Sequence, residues 1–189
     1  MVALVFCVRV PAETVLITGS NQGIGLEFAK EYAAKGWTVI ATHRRATTPA
    51  ALASLQQQYP ARVRIEHLDV TDPAQIKALA LKLKGQPIDV LLNNAALTRL
   101  APLTDKQYRI SKTALNSAMR LLAAQVKDEG IVVALFHPGG VQVESLGDLK
   151  LPGFVPPSEA VGKMIATIDG LRPKDSGRFL QNDGRDQPW

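Results

Sequence analysis

Apolar and polar positions recur along the chain with two different periods, and the switches between them mark out strands and helices in turn. Thr14-Val-Leu-Ile-Thr18 is a short apolar, β-branched run that stops at a glycine-rich turn, which predicts a strand. Residues 23–34 then place Ile24, Phe28 and Tyr32 at helical spacing. Trp37-Thr-Val-Ile-Ala-Thr42 predicts a second strand, residues 49–58 a helix, and Val63 to Leu68 a third strand. Asp72-Pro73 caps a helix running to about Lys84, and Ile88-Asp-Val-Leu-Leu92 predicts a fourth strand whose continuous apolar character implies burial on both faces. A capping box of Thr104 with Gln107 opens a long helix to about Lys127, Gly130 ends it, and Ile131 to Phe136 is the next strand. A loop rich in proline and glycine fills 138–157. Ser158-Glu-Ala starts a last helix to about Asp169, and Arg178-Phe-Leu180 offers a closing strand. This alternation predicts an α/β fold on a parallel sheet, and the sequence contains no repeats.

Composition narrows the picture. A chain of 189 residues suits one globular domain over 1–189, with residues 1–12 as an N-terminal extension. With 46% apolar and 21% charged residues and no stretch near the ~18 uninterrupted apolar residues of a span, no membrane segment is expected. The first ten residues lack the basic start and small-residue cleavage site of a signal peptide. Cys7 is the single cysteine, which excludes an intramolecular disulfide and a cysteine-based zinc site; the expected location is the reducing cytoplasm, and no metal site is expected. The net charge of +5 is scattered apart from His43-Arg44-Arg45 and has no aromatic interleaving, so no nucleic-acid partner is expected.

The chemistry concentrates at the predicted strand ends. In Gly19-Ser20-Asn21-Gln22-Gly23-Ile24-Gly25 the glycines permit a tight turn and close backbone approach. The helix that starts there offers free N–H groups and a positive dipole end to a pyrophosphate, although such a loop can also do no more than link strand to helix. About 20 residues on, where an NAD-binding fold places an acid for the ribose 2′-hydroxyl, stands Arg44 with Arg45. A guanidinium suits a 2′-phosphate, which points to NADP(H) ahead of NAD(H); the alternative is a pair of solvated loop charges. Asp69, just past the third strand, can accept from an adenine amino group or cap a helix. Asn93 and Asn94 end the fourth strand, where their amides can tie backbone together beside a ligand crevice or simply make a turn. Tyr108 and Lys112 stand four apart on one helix, so an ammonium can lie near a phenol and lower its pKa toward that of a general acid. By itself this spacing is also a chance pattern on a solvated face.

Together, Thr18-Gly-x-x-x-Gly-x-Gly25, Leu68-Asp-Val70, Asn93-Asn-Ala-Ala96, Tyr108-Arg-Ile-Ser-Lys112 and His137-Pro-Gly139 resemble the ordered motifs of the short-chain dehydrogenase/reductase family. The ending Asp183-Gly-Arg-Asp-Gln-Pro-Trp189 is similar to the C-factor-like and sniffer-like carbonyl reductases within it. The resemblance implies a Rossmann-type doubly wound parallel sheet binding NADP(H) and a small carbonyl or alcohol substrate. It gives Tyr108 the proton exchange with the substrate oxygen and Lys112 the nicotinamide ribose together with the lowering of the tyrosine pKa. Pro138, Gly139 and Val141 would meet the nicotinamide, while Gly19 to Gly25, Arg44, Asp69, Val70, Asn93 and Ala95 would hold the rest of the dinucleotide.

The sequence also departs from that pattern. Family members place a helix and a strand, bearing a helix asparagine and the catalytic serine, between the Asn-Asn-Ala segment and the tyrosine. Here only Leu97 to Gln107 intervenes, and eleven residues with Pro102 among them cannot hold a helix of ~11 residues and a strand of ~5 with their turns. The resemblance therefore implies a fold short by one strand and one helix, without the catalytic serine, for which neither Ser111 nor Ser117 substitutes. Closing the sheet over the gap would shift the tyrosine helix by about one strand spacing, ~4.8 Å. A catalytically impaired isoform that binds nucleotide or a partner is the alternative to an active oxidoreductase. A homo-oligomer built on the helices beside the gap would be weakened.

Overall fold

The computed structural model describes residues 12–95, 105–147 and 149–188, without the side chains of 105–109, 111 and 145. The expected extension over 1–12 lies outside the described residues except for its last, and the Thr104/Gln107 capping box lies outside them as well. The chain forms two compact units, Met1–Ala96 and Leu97–Trp189.

In the first unit, β1 (Thr14–Ile17), α1 (Gly23–Ala34), β2 (Thr38–His43), α2 (Ala50–Gln58), β3 (Val63–His67), α3 (Pro73–Lys82) and β4 (Val90–Leu92) alternate as the sequence pattern requires. The four strands make one parallel sheet in the order β3-β2-β1-β4. The chain therefore winds outward from β1 to β3 and returns to the other side of β1. Right-handed crossovers in these opposite directions put α1 and α2 on one face and α3 on the other. Ile40 meets Leu79, Leu83 and Leu68 on the α3 face, with Leu16 and Ile88 packed against them. Val15, Ile17, Val39 and Ala41, which alternate with them, are fully buried. α1 contributes Phe28 and Tyr32 to the core, and the Tyr32 ring lies 4.7 Å from that of Trp37 between centroids.

Asp72 caps α3 by accepting from the Ala74 and Gln75 N–H groups, with Pro73 inside the first turn. β4 differs from expectation. It spans three residues, begins at Val90 instead of Ile88, and leaves Leu91 54% exposed, so it is not buried on both faces. The reason is position: among the described residues β4 pairs only with β1, at one end of the four-stranded sheet.

The second unit holds α4 (Asp105–Gln125), a 3-10 turn over Lys127–Glu129, β5 (Leu135–His137), α5 (Pro157–Asp169) and β6 (Phe179–Gln181), with β5 and β6 paired in parallel. Gly130 closes the turn after α4 in the left-handed region at φ 75°, as its place in the sequence predicts. α5 buries Ala160, Val161, Met164 and Ile165 at helical spacing. β5 begins later than expected because Val133, although it faces the residues just ahead of β6, gives its N–H to the Ser176 hydroxyl at 3.1 Å instead of to a backbone carbonyl, while its carbonyl accepts from Gly177 at 2.7 Å.

The architecture is thus α/β with parallel pairing, doubly wound in the first unit. The described strands fall into a four-stranded and a two-stranded sheet.

Candidate functional site

Reversal of strand order at β1 opens a crevice at the carboxyl ends of β1 and β4, and the glycine loop sits there. Gly19 adopts φ 68° and Gly23 φ 57°, a region that L side chains rarely enter. A Cβ on Gly19 would come within 2.8 Å of the Ala95 Cα, and one on Gly25 would collide with the Asn94 side-chain amide and the Gly19 carbonyl. The loop is pinned from both sides. Thr18 donates its backbone N–H to the Leu92 carbonyl at 3.0 Å and its hydroxyl to the same oxygen at 3.2 Å, while the Ala95 N–H donates to the Thr18 hydroxyl at 3.0 Å. The Asn94 amide donates to the carbonyls of Thr18 and Gly19 at 3.0 and 3.1 Å.

What this cradle presents is the N-terminus of α1. Gln22 precedes the helix with extended backbone and makes no side-chain cap bond, and no acidic residue stands in the first turn. The first-turn N–H groups thus have neither a side-chain cap nor an opposing charge, which is the electrostatic requirement for an anion. Ser20 is turned inward: it is fully buried, its hydroxyl donates to the Ile17 carbonyl at 2.9 Å and its N–H to the Thr42 carbonyl at 2.8 Å. Asn21, Gln22 and Ile24 complete the loop between these fixed points.

Arg44 follows β2 directly and is exposed. Asp69 lies beyond β3, where its Oδ1 accepts from the Thr71 hydroxyl at 2.7 Å and the Thr71 N–H at 2.9 Å. Those two bonds, aided by the positive charge of Arg44, hold its carboxyl below the usual carboxylate range. Asp72, not Asp69, is the helix cap. Val70 is 37% exposed next to Asp69, and Asn93 is exposed at the end of β4.

In the second unit, Tyr108 and Lys112 both lie on α4, four residues apart; the Tyr108 side chain is outside the described residues, and Lys112 is half-buried. The loop after β5 is tightly organised. Gly139 takes φ 78° and donates its N–H to His137 Nδ1 at 2.8 Å, and the Pro138 carbonyl accepts from the Asn182 amide at 2.9 Å. Val141 is buried and bridges Val155, while a Cβ on Gly140 would strike the Phe154 ring.

One sequence-based candidate is sharpened and one further side chain is added. Asn94 was legible as one of a pair at a strand end, yet its two bonds to the glycine loop single it out over Asn93. Asn182 carried no signal, because its partner Pro138 lies 44 residues away. Among the described residues no group of three or more His, Cys, Asp or Glu could hold a metal ion, and no helix is long and apolar enough to cross a membrane.

Comparison with known proteins places this geometry. The C-signal protein of Myxococcus xanthus is 38% identical over 112 residues, a match that takes in 52% of this chain and 65% of that protein, less than two thirds of its length. The 3-oxoacyl-(acyl-carrier-protein) reductase FabG of Escherichia coli (strain K12) is 28% identical over 195 positions, covering 90% of this chain and 78% of that protein. Among solved structures, the NADPH-bound carbonyl reductase from chicken fatty liver superposes with a TM-score of 0.83 at 27% identity, covering 95% of this chain and 100% of the other. A family model described as short chain dehydrogenase matches residues 13–110, more than half of the chain. The chain belongs to the short-chain dehydrogenase family.

Proposed function

We propose that this chain is an NADP(H)-dependent oxidoreductase acting on a carbonyl or alcohol group of a small molecule. The observation that carries the proposal is the glycine cradle: Gly19 and Gly25 stand where a Cβ would collide, at the uncapped start of α1, with Arg44 in place of an acid after β2. Gly19, Asn21, Gln22, Gly23, Ile24 and Gly25 would hold the pyrophosphate, with the buried Ser20 bracing the loop from within, Arg44 the 2′-phosphate, and Asp69, Val70, Asn93 and Ala95 the adenosine side. Lys112, Pro138, Gly139 and Val141 would hold the nicotinamide half. A bound nicotinamide supplies or takes up a hydride. The chain's own part in the chemistry falls to Tyr108, which passes a proton to or from the substrate oxygen, and to Lys112, whose charge favours the phenolate.

NADPH oxidation with small aldehydes and quinones, measured for the native chain and for Tyr108→Phe, tests this. Loss of the proton donor is expected to cost about 10² to 10⁴ in turnover. Equal rates in both proteins would remove Tyr108 from the mechanism.

A second reading has a specific motive in the eleven residues from Leu97 to Gln107, which contain no serine. On that reading the shortened chain binds NADP(H), or a partner, without turnover. Titration calorimetry separates the two: tight NADPH binding without oxidation supports the impaired form, and absence of NADPH binding rejects both the oxidoreductase and the nucleotide-binding form. Both readings take the chain as one domain, place it in the cytoplasm and expect the homo-oligomer contact to be weakened.

A further inference from the structure

One peptide group in the second unit is held at both ends by side chains. The Pro138 carbonyl accepts from the Asn182 amide at 2.9 Å, and the N–H on the other side of the same peptide bond, that of Gly139, donates to His137 Nδ1 at 2.8 Å. A peptide bond is planar, so fixing its oxygen and its hydrogen fixes the plane. The clamp acts where the chain would otherwise choose freely: Gly139 stands at φ 78°, in a region that glycine enters without strain, and carries no Cβ to restrict how the plane turns.

Both side chains are placed by the pairing of β5 with β6. His137 is the register partner of Gln181, so Asn182, the next residue, lies beside Pro138. Asn182 is half-buried, and a Cβ on Gly139 would come within 3.2 Å of its amide nitrogen. A backbone N–H can only donate, so His137 Nδ1 accepts and the ring is the neutral form with its proton on Nε2. An acceptor that faces the N–H two residues further on is also what an asparagine side chain supplies at a turn.

The clamped peptide leads into a segment whose hydrogen bonds are divided between two sides. Val155 donates its N–H to the Gly140 carbonyl at 3.0 Å and accepts from the Gln142 N–H at 2.9 Å, which bridges it in parallel to Val141. The N–H and carbonyl of Val141 itself therefore point away from Val155. Val141 is only 6% exposed, and among the described residues its N–H has no hydrogen-bond partner. The direction in which this backbone presents itself follows from the peptide plane just upstream.

We propose that Asn182 and His137 are positioning residues for the nicotinamide half of the dinucleotide: by locking the Pro138–Gly139 peptide between them, they set the backbone that receives it. The assignment rests on the reading of Pro138, Gly139 and Val141 as the seat of that half.

NADPH and 2′,5′-ADP, which keeps the adenosine half and its 2′-phosphate but lacks the nicotinamide, separate positioning from general support. Both are titrated by calorimetry at about pH 8, above the ordinary range in which an imidazole takes up a proton, into the full native chain, Asn182→Leu, His137→Leu and His137→Asn. Asn182→Leu keeps a similar size and removes the donor, His137→Leu removes the acceptor, and His137→Asn replaces one acceptor by another. Each leucine variant is expected to weaken NADPH about 3- to 10-fold, the effect of one lost hydrogen bond, while 2′,5′-ADP stays within about twofold. His137→Asn should bind NADPH within about twofold of the native chain, because the acceptor is restored. Retained 2′,5′-ADP binding also shows that a variant is folded; should Asn182→Leu fail to fold, the two His137 variants decide. Equal weakening of the two nucleotides, unchanged NADPH affinity in both leucine variants, or His137→Asn as weak as His137→Leu each overturns the proposal. A native chain that binds neither nucleotide would refute the proposed function itself, and this assignment with it.

Discussion

Arg44 stands where the fold offers the ribose either an acid or a base, and its guanidinium also helps to hold the Asp69 carboxyl below its usual range. Replacing it with glutamine removes a charge-assisted pair and is expected to weaken NADPH by about 10- to 100-fold while changing NADH by no more than about threefold. Parallel calorimetric titrations of the two nucleotides check this, and equal losses for both would show that Arg44 does not read the phosphate. Gly25→Ala tests the cradle by volume instead of charge. Its new Cβ falls on the Asn94 amide and the Gly19 carbonyl, so NADPH affinity should drop at least tenfold and the melting temperature should fall with it. These glycines were legible in the sequence because positive φ and close approach select the residue type itself. The inward turn of Ser20 was not legible, since its bonds to Ile17 and Thr42 depend on how the loop closes over β2.

At the scale of elements, Glu66 ties β3 to α3. Burial alone would raise its carboxyl, but bonds from Lys82 at 2.7 Å and Arg64 at 2.7 Å outweigh that and hold it below the usual carboxylate range. A pKa lowered by folding contributes stability that is present above the unfolded value and is lost as pH falls through the folded one. Thermal melts between about pH 6 and pH 3 should therefore show a loss of stability on the acid side that is smaller in Glu66→Gln, which is also the less stable protein at neutral pH. An unchanged acid profile would mean that the pair does not link the two elements energetically. Local chemistry placed most elements: Asp72-Pro73 fixes the start of α3, and β-branched runs fix β1 to β3. β4 misled because a run of apolar residues looks alike in the middle of a sheet and at its edge. β5 was overextended because Val133, a good strand residue, gives its N–H to the Ser176 hydroxyl instead of to a backbone carbonyl, which interrupts the ladder ahead of Leu135.

For the molecule as a whole, the chain divides into units Met1–Ala96 and Leu97–Trp189. If the chain is one domain, calorimetry should record one cooperative transition. NADPH at 100 times its dissociation constant should raise it by roughly 5–11 °C, the shift that ~2.7 kcal/mol gives in a chain of this size. Two resolved transitions, with only the first unit's displaced, would show that the units melt separately. Within the first unit, the Thr18 hydroxyl supplies a finer clock. It accepts the Ala95 N–H at 3.0 Å, so that amide proton can exchange with heavy water only when the end of β4 parts from the end of β1. Exchange of one backbone hydrogen thus times how often the nucleotide crevice opens. Thr18→Val, which keeps the shape and removes the acceptor, should leave that hydrogen to exchange much sooner than its neighbours along the ladder.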